Sequence, residues 1–278
     1  LYMSSPVPVG VLAYASSTAN DISADAFAHV CDRLADFAPD GTMTPATYAV
    51  ALNDLRNRIR RAYGVAGDTA VLFAASGTDL EYLGLALAQG RAPGGVTNIL
   101  LGADEVGSGC IHSAKGEYFA DETARGVAVA KGLPLPGMAA GSVDLVPIPV
   151  RDPAGRAFTS AEMTAAIDAA VERARTEGRH SIVHVVHGSK TGLVLPVLAD
   201  IDALAARHGD ALTFLVDACQ ARITSAAIAD YLARGATVML TGSKFMGGPP
   251  FNGFALTPAA AVTRAAPVPD GLGTVFRR

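Results

Sequence analysis

Three short polar segments, each directly after an apolar run, contain the residues whose types could do chemistry. They are ASGTD at residues 75–79, DACQ at residues 217–220 and TGSK at residues 241–244. Together they offer donors for an anion, a carboxylate and a lysine amine. In α/β proteins the ligand chemistry lies beyond the carboxyl ends of the strands, which is where these segments are expected.

The first segment is suited to an anion. Ser76, Gly77 and Thr78 precede a helix that we expect to begin near Leu80. Backbone N–H groups at a helix start, together with two hydroxyls, bind phosphate well. A serine here is also an ordinary helix N-cap, and for this segment taken alone the N-cap is the better interpretation.

The second segment offers a carboxylate at the end of a predicted strand. Asp217 would project from the carboxyl edge of the sheet, where it could keep a pyridine nitrogen protonated. Cys219 and Gln220 are expected to start a helix, and Gln220, one helical turn after Asp217, could hydrogen-bond a phenolic oxygen on the same ring. That Asp217 merely caps the next helix is equally compatible with the sequence.

The third segment offers an amine. Lys244 follows Thr241 and Ser243, whose hydroxyls could add donors to a phosphate. A lysine that is partly shielded from water is more often neutral, which is the form that attacks an aldehyde. A solvated surface lysine is the common alternative. Against it, the run GGPPFNGFAL at residues 247–256 indicates a rigid turn that feeds an apolar strand.

An anion site, a carboxylate and a lysine together match the phosphate, ring nitrogen and aldehyde of pyridoxal 5′-phosphate (PLP). Rival motifs are incomplete: GSKT at residues 188–191 lacks P-loop spacing, and GSG at residues 107–109 lacks a third glycine. His184 and His187 fall on opposite faces of a predicted strand, so they cannot share a metal. We expect His184 to be a core residue and no metal site.

The composition indicates a protein with a large hydrophobic core and with no nucleic-acid or membrane-surface partner. Of 278 residues, 50% are hydrophobic and 17% are charged, and the net charge of −4 leaves no footprint for nucleic acid or a membrane surface. Three widely spaced cysteines favour a reducing compartment, so cytoplasm is expected. No apolar stretch is long enough to span a bilayer.

Alternating helices and strands must position these segments. Ser23 and the pair Thr44–Pro45 predict the starts of two helices, and Thr159 with Glu162 predicts a capping box. Continuous apolar runs predict strands that are covered on both faces, at residues 70–74, 96–101, 143–150, 182–186, 212–216 and 238–240. This alternation predicts an α/β fold with a mainly parallel sheet between helices.

The chain resembles the large domain of fold-type I PLP-dependent enzymes, particularly the class V aminotransferase and cysteine desulfurase group. The resemblance covers roughly residues 69–256. It lies in three ordered motifs: VHGSKTGLVLP at residues 186–196, FLVDACQARI at residues 214–223 and TGSKFMGGPPFNGFAL at residues 241–256. They are similar to the family's strand with a TG turn and proline, to VDAAQ, and to SxHK-x-x-GPxGxGxL.

By matching position, the resemblance implies a role for each segment. Lys244 would be the catalytic Schiff-base lysine, Asp217 would pair with the pyridinium nitrogen, and Gln220 would lie near the phenolic oxygen. Ser189 stands where many relatives have an asparagine near that oxygen and the substrate. The phosphate would be held by Ser76, Gly77, Thr78 and Ser243, with Thr241 as a further donor.

The chain departs from the family pattern in two places. Where relatives often place a ring that stacks on the cofactor, Glu105 is followed by Val106, so the stacking residue is either aliphatic or His112 after a local shift. Relatives are also longer, with a small C-terminal domain that we expect to be missing here. The run DGLGT at residues 270–274 is loosely similar to a loop that reaches a neighbouring subunit's phosphate, which would make Thr274 a contact across a dimer.

We therefore expect an N-terminal arm at residues 1–40, a PLP-binding large domain of three α/β/α layers at residues 41–265, and the start of a connection to an absent C-terminal domain at residues 266–278. The expected function is a homodimeric class V-type aminotransferase or lyase that acts on an amino-acid-like substrate. One alternative is a desulfurase-like enzyme, for which neither Cys110 nor Cys219 is convincing. The other is a non-catalytic nucleotide- or phosphate-binding α/β protein.

Overall fold

Helices and strands alternate along the chain, most of them where the apolar runs predict them. The computed structural model describes residues 5–11, 17, 21–103, 105–107, 109–138 and 141–276. In chain order the elements are α1 (Ala24–Phe37), α2 (Pro45–Tyr63), β1 (Ala70–Ala74), α3 (Gly77–Ala88), β2 (Val96–Leu101), α4 (Cys110–Ser113), β3 (Val143–Ile148), α5 (Ser160–Thr176), β4 (His180–His187), β5 (Val194–Leu195), α6 (Leu198–His208), β6 (Leu212–Asp217), α7 (Ser225–Ala233), β7 (Thr237–Thr241), β8 (Gly253–Thr257) and α8 (Ala259–Thr263).

The predicted helix starts are confirmed. The Ser23 hydroxyl accepts a hydrogen bond from the first turn of α1, and Thr44 does the same for α2, which begins with Pro45. Thr159 and Glu162 form both bonds of the capping box of α5. Helix α1 buries none of its residues, although its apolar spacing is regular. Periodicity therefore predicted this helix, but not a buried face.

The strands form one mixed sheet in the order β1-β8-β7-β6-β4-β2-β3, with β5 paired to β4. Strands β3, β2, β4, β6 and β7 run parallel to one another, whereas β5 is antiparallel to β4 and β8 lies antiparallel between β1 and β7. Because β8 is antiparallel to both, β1 and β7 run in the same direction. The carboxyl end of β1 therefore lies at the same sheet edge as those of β6 and β7.

Two hydrophobic clusters lie on the two faces of this sheet. One joins the inner sides of α5, α6 and α7 to the sheet, through residues such as Ile167, Ile201 and Ile228. The other joins α3 to the opposite face, through Leu85 and Leu215 among others. The three-layer α/β/α architecture predicted from the sequence is confirmed. Among the described residues, no helix is both long enough and apolar enough to cross a membrane.

Candidate active site

The ends of three strands and the start of a fourth meet at one place. Gly253, the first residue of β8, pairs with Ala74 at the end of β1 and with Thr241 at the end of β7. Asp217 is the last residue of β6, the next strand in the sheet. The three chemical segments of the sequence therefore start from the same edge.

The turn before α3 is the candidate anion cradle. Ser76 caps the helix by accepting from the Asp79 N–H at 3.2 Å, and its hydroxyl donates to Asp79 Oδ2 at 2.6 Å. A side chain at Gly77 would place its Cβ 2.7 Å from Cys219 Sγ and 3.4 Å from Thr241 Cγ2. Only glycine lets this turn pack so closely against the segments that follow β6 and β7. The N-terminal end of α3 thus lies beside the ends of those strands.

A second wall of the cradle comes from the segment after β2. A Cβ at Gly107 would lie 3.4 Å from Thr78 Oγ1, and one at Gly109 would lie 3.0 Å from Thr78 Cγ2. Val106 is buried in a small cluster with Cys110. These contacts place the backbone of Gly107 and that of Gly109 directly against the cradle threonine.

His112 is engaged away from these contacts. Its Nδ1 lies 2.9 Å from Glu117 Oε2, and its ring approaches Gly132. Among the contacts of the described residues, none joins His112 to Thr78, Asp217 or Lys244. Which residue would stack on a bound ring stays a prediction.

Asp217 is the first residue of a turn and not of a helix. Its Oδ1 accepts from the Cys219 N–H at 3.0 Å, and α7 begins only at Ser225, capped by Thr224. The expectation that Cys219 and Gln220 start a helix is wrong, and so is the alternative in which Asp217 caps the next helix. The local Asp217 turn satisfies the backbone instead. Asp217 is left half-buried at the sheet edge.

Cys219 lies between the carboxylate and the lysine. Burial raises the pKa of its thiol well above the usual value, the charge of Asp217 raises it further, and the charge of Lys244 lowers it. The charges of Asp217 and Lys244 therefore both act on the Cys219 thiol, although these two residues lie at the ends of different strands. Thr241 donates its single hydroxyl proton to the Cys219 carbonyl at 2.6 Å. A direct bond from Thr241 to phosphate stays a prediction that requires this contact to break.

Lys244 lies half-buried in a turn that closes on itself. Gly248 N–H donates to Gly242 O at 2.8 Å, and Gly242 N–H donates to Asn252 O at 2.9 Å. Cβ atoms at Gly242 or Gly248 would lie 2.4 or 2.8 Å from the Asn252 side chain. The glycines thus allow the compact turn that carries Lys244 and Ser243.

A cavity of about 410 Å³ lies beside Lys244, on the side of the N-terminal segment. Residues 8–11 line it together with Asp21, Ile22 and Phe245. None of the cradle residues Ser76, Gly77 and Thr78 does so. Lys244 therefore borders a cavity that the cradle residues do not line.

Ser189 belongs to a charged network that the sequence did not reveal. Its hydroxyl donates to Glu105 Oε2, Thr191 donates to the same oxygen at 2.5 Å, and Arg151 Nε donates to Oε1 at 2.6 Å. Burial raises the pKa of Glu105, but these three partners outweigh it and hold that pKa below its usual value. The carboxylate is therefore ionised at neutral pH and fixes the turn after β4. Because the Ser189 proton is donated to Glu105, that hydroxyl can only accept from a ligand.

Arg222 connects the Ser189 turn to the lysine turn. Its Nη2 donates to the carbonyl oxygens of Gly188, at 3.0 Å, and Ser189. Its guanidinium also lies 4.9 Å from the ring centre of Phe245, the neighbour of Lys244. The Arg222 side chain thus connects the turn that contains Ser189 to the turn that contains Lys244.

The remaining predicted residues have partners within the chain. Gln220 Oε1 accepts from the Ser17 hydroxyl at 3.0 Å. The Thr274 hydroxyl donates to Gly271 O at 2.6 Å and lies 3.0 Å from the Tyr118 hydroxyl. A phosphate contact from Thr274 across a dimer stays a prediction.

Two ionisable residues that the sequence analysis did not assign to the site are fully buried behind Asp217. Glu81 on α3 and His184 on β4 are each 1% exposed, and Glu81 Oε2 lies 3.3 Å from His184 Nε2. Burial raises the pKa of Glu81 well above its usual value, and Asp217 raises it further. Burial lowers the pKa of His184 to about 4, so its imidazole is uncharged near neutral pH, and burial favours the uncharged form of Glu81. His184 is a core residue, as predicted, and His187 faces Tyr231 on the other side of the sheet.

Comparisons with known proteins identify the fold. No family model matches the chain, and no curated protein matches it. Two similar solved structures are a protein from Erwinia carotovora atroseptica named as a histidinol-phosphate aminotransferase and a lysine-to-alanine variant of C-DES with glycine covalently linked to its PLP cofactor. Both superpose with a TM-score of 0.56, at 16% and 17% identity respectively, and they cover 91% and 88% of this chain.

This likeness confirms the predicted fold, that of the large domain of fold-type I enzymes. The chain spans 61% of the length of the first structure and 56% of the second. At such low identity the comparison concerns the architecture alone. Any activity must be argued from the residues at the sheet edge.

Proposed function

We propose that this chain is a PLP-dependent transferase or lyase that acts on an amino-acid-like substrate, with Lys244 as the residue that holds the cofactor. The observation that carries the proposal is the meeting of three segments at Gly77. That glycine packs against Cys219, which follows Asp217, and against Thr241, which precedes Lys244. An anion cradle, a carboxylate and an amine are thereby brought to one sheet edge.

The residues present fit the chemical groups of PLP. The N–H groups and dipole at the start of α3 favour a phosphate beside Ser76, Gly77 and Thr78. The half-buried carboxylate of Asp217 suits a protonated ring nitrogen, since a charge-assisted hydrogen bond is strong away from water. Gly107 and Gly109 leave room beside Thr78 because neither has a side chain.

When bound, PLP supplies an electron sink that draws electrons from the Cα of an amino-acid substrate. Asp217 holds the proton on the ring nitrogen that makes this possible. Lys244 Nζ would accept a proton from Cα and return it. Ser189 has no proton to donate, so it accepts a hydrogen bond, and Gln220 is the amide donor for the phenolic oxygen.

A class V-type aminotransferase or lyase agrees best with these residues. The desulfurase alternative needs a mobile, reactive thiolate, but Cys110 and Cys219 are buried and burial raises the pKa of both thiols. A purely phosphate-binding protein would use the cradle without Asp217 and Lys244. The placement of all three groups at one edge favours the enzyme.

We also infer a cytoplasmic homodimer. The family resemblance implies two chains per active unit. Phe245, Met246 and Phe251, which flank the lysine turn, are each at least 50% exposed, and a second copy of the chain would cover them. The partners proposed are therefore a second copy and a small amino-acid-like molecule.

The proposal is tested by loading the protein with PLP and screening amino acids by absorbance. Conversion of the cofactor to its pyridoxamine form supports transamination, whereas release of ammonia with a keto acid supports elimination. If no amino acid changes the spectrum, the enzymatic proposal fails and only cofactor binding is left. A Lys244→Ala variant is the control, because it keeps the cradle and lacks the amine.

A further inference from the structure

The side of α3 that faces the sheet includes two glycines and one acid, beside apolar residues such as Leu85. A Cβ at Gly77 would meet Cys219, and a Cβ at Gly84 would lie 2.6 Å from Leu215 Cδ2. Glu81 lies between them at helical spacing, so it faces the same strands. The close approach of the helix leaves Glu81 with no route to solvent.

Glu81 meets His184 in this interface without any aligned hydrogen bond. Glu81 Oε2 and both ring nitrogens of His184 are buried, and within the described part of the chain they have no hydrogen-bond partner. The 3.3 Å approach of Oε2 to Nε2 is nevertheless short enough for one proton to be shared between them. Buried polar atoms left this way destabilise a fold, so their presence calls for a functional explanation.

The pair lies directly behind Asp217. His184 pairs in register with Leu215, and Asp217 stands two residues further along β6, on the same face. The charge of Asp217 acts on both members of the pair. The other ionisable groups around it are Cys110 on α4 and the Cys219 thiol, both uncharged, and Lys244 beyond Cys219.

We propose that Glu81 and His184 are positioning residues, a proton-sharing pair that adjusts how strongly Asp217 holds the ring nitrogen of the cofactor. This inference rests on the proposed function. In one form the proton is on Glu81 Oε2 and His184 is neutral. In the other form the pair has released that proton, and the Glu81 anion accepts a hydrogen bond from His184 Nε2, which now carries the single proton of the neutral ring.

The pair links cofactor affinity to pH. A protonated ring nitrogen neutralises Asp217, which makes ionisation of Glu81 less costly, and an ionised Glu81 in turn favours that positive nitrogen. Cofactor binding is therefore expected to promote loss of the Glu81 proton. By linkage, affinity for PLP should rise with pH across the range in which Glu81 ionises.

The test measures PLP affinity by absorbance between about pH 6 and about pH 9, in the full chain and in a Glu81→Gln variant. PLP and every other residue of the chain are common to both measurements, so the comparison isolates Glu81. We expect the ratio of the two affinities to grow with pH, by up to about tenfold per pH unit. Parallel curves over the whole range would overturn the inference.

Two further variants keep the test decisive. His180→Gln is the matched control, because His180 is also buried on β4 with a pKa lowered to about 4, but it lies at the far end of the strand against Thr213. It should keep the pH dependence of the unaltered chain. His184→Gln removes the proton acceptor and should flatten the curve even if Glu81→Gln does not fold, whereas an unchanged curve would count against the pair. Failure of the unaltered chain to take up PLP would refute the proposed function itself.

Discussion

Gly77 is the residue at which the walls of the site meet, and its lack of a side chain is a packing requirement. Its Cβ position lies 2.7 Å from Cys219 Sγ, closer than real Cβ atoms pack, and 3.3 Å from Cys219 Cβ, which is a tight contact. An alanine must push the turn after β6 away from the start of α3. Because Asp217 begins that turn, the shift separates the carboxylate from the cradle.

We predict that Gly77→Ala weakens PLP binding by about tenfold or more and lowers the free energy of unfolding by about 1–3 kcal/mol. Gly84→Ala is the matched control, since its Cβ meets the end of the Leu215 side chain at 2.6 Å, farther along the same helix. It should lower stability while retaining affinity. Absorbance titration and urea unfolding measure the two effects, and unchanged affinity in Gly77→Ala would contradict the role of the turn.

The lowered pKa of His180 predicts how the free energy of unfolding depends on pH. Burial, with a contribution from the charge of Arg91, lowers its pKa to about 4 from the usual 6.5. Between these values the unfolded chain binds a proton that the folded chain does not, so the free energy of unfolding rises with pH. His180 contributes a slope of about 1.4 kcal/mol per pH unit, and its stabilising contribution is lost as pH falls through this range.

Glu81 and His184 should not add to that slope. The raised pKa of Glu81 makes the folded chain hold a proton that the unfolded chain releases, which opposes the effect of the lowered pKa of His184. Urea unfolding between about pH 4 and about pH 6.5 should therefore show a shallower slope for His180→Gln than for the unaltered chain. Equal slopes would show that His180 is not the group responsible.

At the scale of elements, the sequence predicted the strands but not the contacts between the loops. Continuous apolar runs reveal buried strands because both faces of the sheet are covered. The network of Glu105 with Ser189 depends instead on β2 lying beside β4, which chain order does not state. The helix expected at Cys219 was wrong because the Asp217 turn satisfies the backbone there, and α7 starts only after Thr224.

The Glu105 network is expected to hold the turn after β4 in place. Glu105→Gln removes the charge that binds Arg151 and orders the hydroxyls of Ser189 and Thr191. We predict faster hydrogen exchange of the amides at residues 188–193 and a loss of about 1–3 kcal/mol in unfolding free energy. Glu117→Gln is the control, since Glu117 contacts the half-buried His112 on another loop. Unaltered rates of hydrogen exchange at residues 188–193 would contradict the role of Glu105 in holding this turn.

At the scale of the whole molecule, strand β8 determines where the chemistry lies. Its antiparallel place between β1 and β7 brings the cradle turn and the lysine turn to the same edge. The sequence predicted an apolar strand after the lysine turn but not its direction, because an apolar run has no polarity of its own. The three chemical segments were identifiable from sequence because each joins a strand end to a polar turn.

The central claim is that Lys244 holds PLP at this edge, and trapping the cofactor by reduction tests it most directly. The protein is loaded with PLP, reduced with borohydride, digested and mapped by mass spectrometry. The account predicts one modified peptide that contains Lys244, none in Lys244→Ala, and normal labelling in Lys190→Ala, whose exposed lysine lies in the Ser189 turn. Modification of Lys190 in place of Lys244, or no bound cofactor at all, would contradict it.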